Sequence, residues 1–312
     1  MIVVMGKYGR LGNQLWTHAN VFAFCMEHGI PYCSPAFPER HSFRFASRAP
    51  GFPQRGYLES NRMRSLLVRG MYKTALRLPS WPIIHIGERS RLDLDRCAEQ
   101  LVSIAASRTT FLTGLYFSAP ASMRKNRTSL LESFAPIDEL QTRVDRLLAR
   151  TAGRPGPLIG VHMRRGDYRT YCDGIMYYSA AEYADVMRSL ANSSRHRGGA
   201  RFLVCTDEPV EPGSFDGLDV TVSTESPIVD LYSLAACDMI VGPNSSFSQW
   251  ASYYGDVPLH VLNYKAAETH GSEEPVRHPD PEKHFSVFSP ESFVRYSRQS
   301  LELPEALAAP RR

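Results

Sequence analysis

The sequence predicts an α/β fold arranged in two domains. The chain has 312 residues, and at roughly 150 residues per domain this length corresponds to two of them. The run Gly-Arg-Pro-Gly-Pro at 153–157 is the clearest linker, because Gly and Pro interrupt both helices and strands. After it, strand-like and helix-like apolar runs alternate, as in a parallel sheet covered by helices. We therefore place the domains at residues 1–152 and 157–312.

The N-terminal half begins with a predicted strand, a glycine loop and a helix. Residues 2–5 form a short apolar run, glycines follow it, and apolar residues then recur at helical spacing as far as Gly29. Residues 30–120 are rich in Pro, Ser and Arg, and within them residues 83–86 indicate a strand. A second helical pattern covers residues 129–148 and leads into the linker.

The C-terminal half alternates strands with helices. Because parallel strands run in one direction, their carboxyl ends meet at one edge of the sheet, and ligands bind beyond that edge. The predicted strands cover 158–163, 202–205, 239–241 and 259–262, and the predicted helices cover 180–190, 228–236 and 247–254.

Composition and charge exclude several classes of protein. Hydrophobic residues make up 43% of the chain and charged residues 22%, which is typical of globular proteins rather than disordered or collagen-like ones. A formal net charge of +4 suits anionic ligands but not nucleic acid, so we expect no nucleic-acid partner. No apolar run approaches the roughly 20 residues of a spanning helix or resembles a secretory signal. We expect the protein in the cytoplasm.

One segment is unusually basic. Between Arg40 and Arg77 nine Lys or Arg residues stand against a single acid, Glu59. Two interpretations stay open: a solvated face, or a surface that meets an anionic acceptor or the inner face of an anionic membrane.

The strongest local motif is the run His162-Met-Arg-Arg-Gly-Asp-Tyr at 162–168, where a predicted strand opens into its loop. Arg164 and Arg165 can clamp an anion, because each guanidinium presents a planar fork of donors that fits phosphate oxygens. Gly166 would let the backbone approach a ligand. The alternative is a surface ion pair between Arg165 and Asp167, which leaves His162 as a polar strand end.

Two other strand ends carry polar residues. The segment Gly-Pro-Asn-Ser-Ser-Phe-Ser at 242–248 precedes a predicted helix, and its Asn and Ser residues can cap backbone N–H groups that also bind phosphate. Asp207 follows another strand and can accept a hydrogen bond from a sugar or base, or simply form a turn before Pro209.

The glycine loop at residues 6–14 matches neither the dinucleotide-binding nor the Walker spacing. A glycine-rich turn into a helix still offers backbone N–H groups, and Asn13 can serve as the cap. Asp93 and Asp95 have the spacing that holds a divalent metal in some nucleotide-sugar transferases, but Arg91 and Arg96 flank them. We expect a solvated turn or helix start there, and no metal site.

Three of these segments together resemble the ordered signatures of the α-1,2-fucosyltransferases, which belong to glycosyltransferase family 11 and are related to the α-1,6- and protein O-fucosyltransferases. They are Gly-Arg-Leu-Gly-Asn-Gln at 9–14, His-Met-Arg-Arg-Gly-Asp-Tyr at 162–168 and Asn-Ser-Ser-Phe-Ser-Gln-Trp at 244–250. The run Asp-Leu-Tyr-Ser-Leu at 230–234 is similar to the family's approach to the third segment. Within these segments Arg10 replaces the family's usual Gly.

The resemblance implies a GT-B-like architecture: two Rossmann-type domains with the active site in the cleft between them. It also implies that GDP-fucose binds mainly to the C-terminal domain and that no metal or other cofactor takes part. By resemblance, Arg164 holds the β-phosphate of the donor, His162 lies near the nucleotide, and Asn13 faces the cleft from the other domain. The other donor-binding candidates are Gly12, Arg165, Asp207, Asp230, Asn244, Ser245, Ser246 and Phe247.

The resemblance therefore implies an inverting transfer of L-fucose from GDP-β-L-fucose to a glycan hydroxyl, with O2 of a terminal β-galactoside as the expected acceptor. Arg164, Asn13 and Asp167 are the catalytic candidates. The general base stays open among Asp167, Asp173 and Glu182. Two alternatives also stay open: another nucleotide-sugar transferase on the same fold, and a non-catalytic module that binds a nucleotide or glycan.

Overall fold

The computed structural model of the protein describes most of the chain. It covers residues 1–44 except 7, residues 62–78 and 81–86, residues 91–153 except 115, residues 155–192 except 175, and residues 199–262, 285–288 and 300–301.

By their contacts the residues form two compact units, one of residues 1–137 with 294–312 and the other of residues 138–293. Each unit has its own parallel sheet with helices around it, so the predicted α/β class is confirmed. The predicted boundary lies at 153–157, whereas the contacts divide the chain before Asp138. The difference arises because residues 138–157 are fixed to the second unit. The Arg201 guanidinium, for example, donates to the Thr151 carbonyl at 2.7 Å and to the Gly156 carbonyl at 3.1 Å.

The first unit contains a four-stranded parallel sheet in the order β2-β1-β5-β3 and a small sheet in the order β13-β4-β6. Its strands are β1 (Ile2–Met5), β2 (Tyr32–Cys33), β3 (Ile83–Ile86), β4 (Arg91–Asp93), β5 (Thr110–Gly114), β6 (Phe117–Ser118) and β13 (Ser300–Leu301). Its helices are α1 (Leu11–Glu27), α2 (Arg62–Ala75), α3 (Ala98–Ser107), α4 (Pro120–Lys125) and α5 (Arg127–Ser133).

The second unit contains a six-stranded sheet in the order β12-β11-β10-β7-β8-β9, in which only the pairing of β12 with β11 is antiparallel among the described strands. Its strands are β7 (Leu158–Met163), β8 (Arg201–Thr206), β9 (Asp219–Val222), β10 (Met239–Gly242), β11 (Leu259–Leu262) and β12 (Phe285–Phe288). Its helices are α6 (Asp138–Arg150), α7 (Ala180–Ala191), α8 (Pro227–Ala235) and α9 (Ser246–Gly255).

The core of the second unit lies around β7, the central strand. Every residue of β7 is buried, which explains its continuous apolar sequence, since a central parallel strand is covered on both faces. Gly160 lets α8 approach, because a Cβ there would lie 2.7 Å from a Leu234 methyl carbon and 3.0 Å from the Cys237 sulfur. Ile159, Val161 and Met163 pack with Phe202 and neighbouring side chains in one apolar cluster.

The structure departs from the sequence prediction at one helix and one strand of this part of the chain. The helical pattern at 129–148 is divided between α5 and α6, because Pro136 interrupts it. Strand β9 was not predicted, since its residues at 219–222 are only half-buried and lack a continuous apolar run.

Among the described residues, no helix has both the length and the apolar character that crossing a membrane requires.

Candidate functional site

Two loops flank the centre of the second unit's sheet at its carboxyl edge. From β7 the chain continues to β8 and β9 on one side, and then returns to β10 and β11 on the other side. The strand order thus reverses between β7 and β10, and open α/β sheets bind ligands at such a point. The loop after β7 carries Arg164, and the loop after β10 carries Ser245. The two strongest sequence motifs therefore lie on either side of this position.

Arg164 and Asp167 form a two-point ion pair in the loop after β7. The Arg164 Nε donates to Asp167 Oδ1 at 3.1 Å, and Nη2 donates to Oδ2 at 2.7 Å. The arginine side chain is 16% exposed and the aspartate side chain 42%, so the cation is the more buried partner. The Nη1 group of Arg164 lies outside this pair.

Tyr168 supports the same guanidinium from its face. The Arg164 Cζ lies 4.6 Å from the centre of the Tyr168 ring, within the range of a cation–π contact. Burial lowers the pKa of Arg164, but its hydrogen bond to Asp167 and the nearby Tyr168 outweigh burial and raise that pKa above its ordinary value. Arg164 is therefore a permanent cation, fixed at one edge and on one face.

Tyr168 also connects this loop to the start of α9. Its hydroxyl hydrogen-bonds to the side chain of Ser245, the N-cap residue of α9, whose Oγ accepts the Phe247 N–H at 3.2 Å. The first turn of a helix carries partial positive charge and binds anions through its N–H groups. Arg164 and the α9 N-terminus therefore bring two sources of positive charge to one edge of the sheet.

His162 lies beneath these two loops as a neutral side chain. Its Nδ1 is 2.6 Å from Ser248 Oγ, and its ring centre is 4.8 Å from that of Phe247. Burial, and to a smaller extent the charge of Arg164, lower the pKa of His162 to about 3, although the nearby Asp207 acts in the opposite direction. A Cβ at Gly242 would lie 3.0 Å from the His162 Cβ, so the close approach of the two strand ends requires glycine there.

Arg165 points away from Asp167. Its Nη2 donates to the Pro209 carbonyl at 2.6 Å, and its Nε lies 3.5 Å from the Glu208 carboxylate. The alternative of a surface ion pair between Arg165 and Asp167 is therefore wrong, because the ion pair of Arg165 is with Glu208 and that of Asp167 is with Arg164. Successive side chains of extended backbone point to opposite sides, which separates the two arginines.

Asp207 holds the backbone of the Arg164 loop. Its Oδ1 accepts the Arg165 N–H at 2.9 Å and the Gly166 N–H at 3.4 Å. A Cβ at Gly166 would lie 2.9 Å from Asp207 Oδ2, so this position needs glycine for close contact with the carboxylate. The contact of Asp207 with a donor stays a prediction, whereas its support of the loop is visible.

Asp230 is a buried carboxyl in the first turn of α8. Burial raises its pKa to about 6, although the hydrogen bond that Asp230 accepts from the Ser223 hydroxyl acts in the opposite direction. Ser223 Oγ also accepts the Glu225 N–H at 3.1 Å. The Glu225 carboxylate is in turn ion-paired with Arg143 of α6. A chain of polar contacts thus joins α6 to the carboxyl edge of the sheet.

The remaining donor-binding candidates of this unit lie at the start of α9. Asn244 precedes the N-cap, and its Oδ1 accepts the Gln249 side-chain N–H at 2.6 Å. Gln249 therefore braces the loop from within the helix. Ser246 is the first residue of α9 and is partly exposed.

The glycine loop of the first unit follows β1, beside the corresponding reversal of strand order between β1 and β5. The N-cap of α1 is Arg10, without a side-chain cap, and Asn13 lies in the first turn instead. The expectation that Asn13 caps the helix is therefore wrong. Gly9 has a positive φ of 66°, and a Cβ there would lie 2.5 Å from Asn13 Nδ2. Gly12 is buried inside α1, and Gln14 Nε2 donates to the Gly9 carbonyl at 3.0 Å.

Asp93 and Asp95 are occupied by hydrogen bonds. Asp93 is buried, not solvated as expected, and its Oδ1 accepts the N–H groups of Asp95 and Arg96 at 3.1 and 3.3 Å. The Asp95 carboxylate accepts the N–H of Ala121 and the hydroxyl of Ser122 at the start of α4. Among the described residues no group of three or more His, Cys, Asp or Glu side chains could hold a metal ion.

The candidates for the general base differ in what they contact. Glu182 forms a capping box with Ser179 at the start of α7, with bonds of 2.7 and 3.3 Å, so its carboxylate has a structural role. Asp167 is bound to Arg164. The side chain of Asp173 lies outside the described residues.

Three residues of this edge were not among the sequence-predicted site residues. Tyr168 and Ser248 stand inside the two motifs, and their hydroxyl groups make contacts that residue type alone does not specify. Ser223 follows β9, the strand that the sequence pattern did not reveal, so no signal pointed to it.

Comparisons with known proteins agree with this geometry. Residues 86–277 match the model of glycosyl transferase family 11. Galactoside alpha-(1,2)-fucosyltransferase 2 of Gorilla gorilla gorilla is 25% identical over 274 residues, which cover 82% of this chain and 70% of that protein. The enzyme of the same name from Oryctolagus cuniculus is 26% identical over 272 residues, 84% of this chain and 69% of that one.

Solved structures share the fold. A mutant of Arabidopsis thaliana FUT1 in complex with GDP has a TM-score of 0.58 at 14% identity, covering 93% of this chain and 74% of that one. The α-1,6-fucosyltransferase NodZ, co-crystallised with GDP, has a TM-score of 0.54 at 15% identity, covering 92% of this chain and 98% of that one. POFUT1 in complex with GDP-fucose has a TM-score of 0.55 at 12% identity, covering 82% of this chain and 94% of that one.

The fold is of the GT-B-like class, as the resemblance implied. Since the family model covers more than half of the chain, the protein belongs to glycosyl transferase family 11.

Proposed function

We propose that the protein transfers L-fucose from GDP-β-L-fucose to a glycan hydroxyl with inversion at the anomeric carbon, and that the acceptor is O2 of a terminal β-galactoside. The observation that carries the proposal is the joint position of Arg164 and the α9 N-terminus, linked through Tyr168. The names of the curated relatives support the acceptor and the linkage, and the GDP-bound structures of similar fold support the nucleotide.

The demanding step is the departure of GDP. A bond forms between the acceptor oxygen and the anomeric carbon while the bond from that carbon to the β-phosphate oxygen breaks. The electron pair of the broken bond leaves with GDP, and the acceptor's proton passes to a base or to water. Negative charge thus grows on the diphosphate, and fixed donors that meet such charge can each lower the barrier by about 3 to 4 kcal/mol.

Arg164 fits this role because its position is set before the donor arrives. Asp167 occupies the Nε and part of Nη2, and Tyr168 covers one face. The Nη1 edge then presents N–H groups to a diphosphate, with the first-turn N–H groups of α9 on the same edge of the sheet. In this scheme Asp167 is a positioning residue, and no metal ion is needed to neutralise the leaving group.

The nucleoside end of the donor would contact the loops on the β8 and β9 side. Asp230 is an acceptor able to bind the N–H groups of a guanine base, and Ser223 orients it. His162, held neutral by burial, can donate or accept one hydrogen bond without adding charge. Asn13 and the glycine loop of the first unit are assigned to the acceptor side.

A donor and acceptor panel tests the proposal. GDP-fucose, GDP-mannose and UDP-galactose are each incubated with a terminal β-galactoside, and both released nucleotide and transferred sugar are measured over time. We expect transfer from GDP-fucose alone, and a product that an α-1,2-specific fucosidase reverses. The matched acceptor is the same galactoside with the 2-hydroxyl replaced by hydrogen, which should receive no sugar.

Two outcomes contradict the proposal. Transfer from GDP-mannose or UDP-galactose at a higher rate would assign another donor. Saturable GDP-fucose binding, with no transfer to any member of a glycan panel, would make the chain a binding module.

A further inference from the structure

Helix α2 and the turn after it expose a set of leucines. Leu66, Leu67 and Leu76 are each at least 60% exposed, and Leu78 is 45% exposed. Among the described residues these are four of the six large hydrophobic side chains that stand out as exposed. Single exposed apolar residues are ordinary, but a cluster of them within one short segment indicates an interaction site.

The opposite side of the same helix is anchored in the first unit. Val68 and Ala75 are buried and pack in a cluster with Phe111 of β5 and Cys33 of β2. The leucines are therefore not exposed because α2 is loosely attached, since its inner face has its own partners. Beside the leucines lies an open depression of about 500 Å³, lined by Leu66, Leu67, Gly70, Met71, Thr74 and Trp81.

Positive charge accompanies the leucines. The segment from Arg62 to Leu78 contains five Lys or Arg residues and no Asp or Glu. Arg69, Lys73 and Arg77 are exposed and follow one another at intervals of four residues. Like charges four residues apart destabilise a helix slightly, so the placement of Arg69 and Lys73 on α2 does not stabilise the helix itself. We call residues 66–78 the α2 surface.

We propose that the α2 surface binds an anionic phospholipid bilayer. Leucines flanked by cations match the boundary between acyl chains and headgroups, where apolar side chains leave water while Lys and Arg meet anionic lipids. A bilayer accommodates both features of this surface at once, because its interior takes up the leucines while its anionic headgroups meet Lys73 and Arg77. The proposal does not depend on the transferred sugar.

Flotation with vesicles tests the proposal on the full chain. The probes are vesicles of phosphatidylglycerol mixed with phosphatidylcholine, and vesicles of phosphatidylcholine alone, each at low and high salt. We expect the protein to float with the anionic vesicles at low salt and to remain behind with the neutral ones. Each Lys or Arg near an anionic surface contributes about fivefold to binding, so Lys73→Gln/Arg77→Gln should weaken it by about thirtyfold.

Two further variants distinguish binding through the α2 surface from an effect of the protein's net charge. Leu66→Ser/Leu67→Ser keeps every charge and should still reduce binding about tenfold, because apolar burial contributes to interfacial affinity. Arg146→Gln/Arg150→Gln removes two exposed cations from α6 in the second unit, and should bind as the unchanged protein does. Circular dichroism and GDP affinity, unchanged in all three, show that each variant is folded.

Three results would overturn the proposal. The first is that the unchanged protein does not float with anionic vesicles at low salt, and the second is that Arg146→Gln/Arg150→Gln loses as much vesicle binding as Lys73→Gln/Arg77→Gln. The third is that Leu66→Ser/Leu67→Ser binds the vesicles as well as the unchanged protein does. The last would leave only a charge-based attraction of the kind that an acidic protein partner also provides.

Discussion

Arg164 and Asp167 face each other across one turn of chain and share two hydrogen bonds, at 3.1 and 2.7 Å. This pair uses one side of the guanidinium fork and leaves the Nη1 side outside it. A lysine has one ammonium and no fork, so it cannot hold Asp167 and meet a diphosphate in the same way.

Arg164→Lys should therefore lose kcat by about a hundredfold or more, the usual scale for one removed charge-stabilising donor. GDP affinity should also fall, because the same group meets the ground-state diphosphate. Initial rates and GDP titration measure both effects. Arg169→Lys is the matched control, since Arg169 lies in the same loop and its ion pair with Glu208 is exposed; it should stay within about twofold. A near-normal rate for Arg164→Lys would show that the pair with Asp167 is only a surface contact.

Ser245→Ala should combine a loss of stability with a loss of nucleotide affinity. Removing an N-cap hydroxyl costs about 1 kcal/mol of unfolding free energy, and here it also removes the contact with Tyr168. Ser179→Ala removes the capping box of α7 and should cost a similar stability without changing GDP affinity. Urea denaturation and calorimetric GDP titration of both variants give the comparison. Equal GDP affinity in the two variants would remove the α9 N-terminus from the site.

Asp207→Ala should disorder the Arg164 loop, because the N–H groups of Arg165 and Gly166 lose their acceptor. We expect kcat to fall about tenfold, the scale of one lost loop hydrogen bond of about 1.4 kcal/mol. Asp207→Asn keeps an amide oxygen for the same N–H groups and should retain most of the rate. If the Asn variant were as slow as the Ala variant, the charge of Asp207 would matter more than its support of the loop.

Stability should decline in acid because of the buried histidines. The pKa of both His18 and His162 is lowered to about 3 in the folded protein, against about 6.5 in the unfolded chain. Below pH 6.5 the unfolded state therefore binds protons that the folded state does not, and each histidine lowers the unfolding free energy by up to about 1.4 kcal/mol per pH unit.

Asp230 acts in the opposite direction, since its raised pKa of about 6 lets the folded state hold a proton that the unfolded chain has released. Urea denaturation between pH 4 and 6 should thus show the net effect of two histidines and one aspartate. His162→Asn keeps a polar atom for Ser248 and should flatten the slope, whereas Asp230→Asn should steepen it. The reverse order would contradict the assigned protonation states.

Transfer should survive EDTA. The carboxylates of Asp93 and Asp95 are engaged with backbone N–H groups of the β4 turn and of α4, and Arg164 with α9 is proposed to meet the leaving diphosphate. Initial rates with and without chelator measure this. Loss of turnover with EDTA, restored by Mn²⁺, would require a metal ligand set.

Much of the second unit could be predicted from the sequence. Its central strand is buried on both faces, so the apolar run Leu158–Met163 marks it directly. The positions of Arg164 and Ser245 also follow, since Arg164 comes directly after β7 and Ser245 lies in the short loop after β10. The partner of Asp167 could not be predicted, because side-chain direction decides between two adjacent arginines. Strand β9 was missed for another reason, because its four half-buried residues alternate polar and apolar side chains and form no continuous apolar run.

The first unit was harder to predict from its sequence. Short strands such as Tyr32–Cys33 are too brief to show a pattern. Helix α2 shows exposed leucines between basic residues, a pattern opposite to that of an ordinary surface helix. The burial of Asp93 could not be foreseen either, since it depends on a turn that folds the backbone N–H groups of residues 95 and 96 back onto its carboxylate.

The position of β7 between β8 and β10 has a consequence for the order of synthesis. During translation β7 and Arg164 are synthesised first, followed by β8, β9 and α8. Strand β10 and Ser245, which lie on the other side of β7, are synthesised only afterwards. A growing chain therefore carries only half of the proposed donor site from the synthesis of Arg164 until that of Ser245. If GDP binds at the proposed donor site, it meets both halves of that site only after β10 has paired with β7, and it would therefore stabilise the finished sheet rather than guide its early assembly.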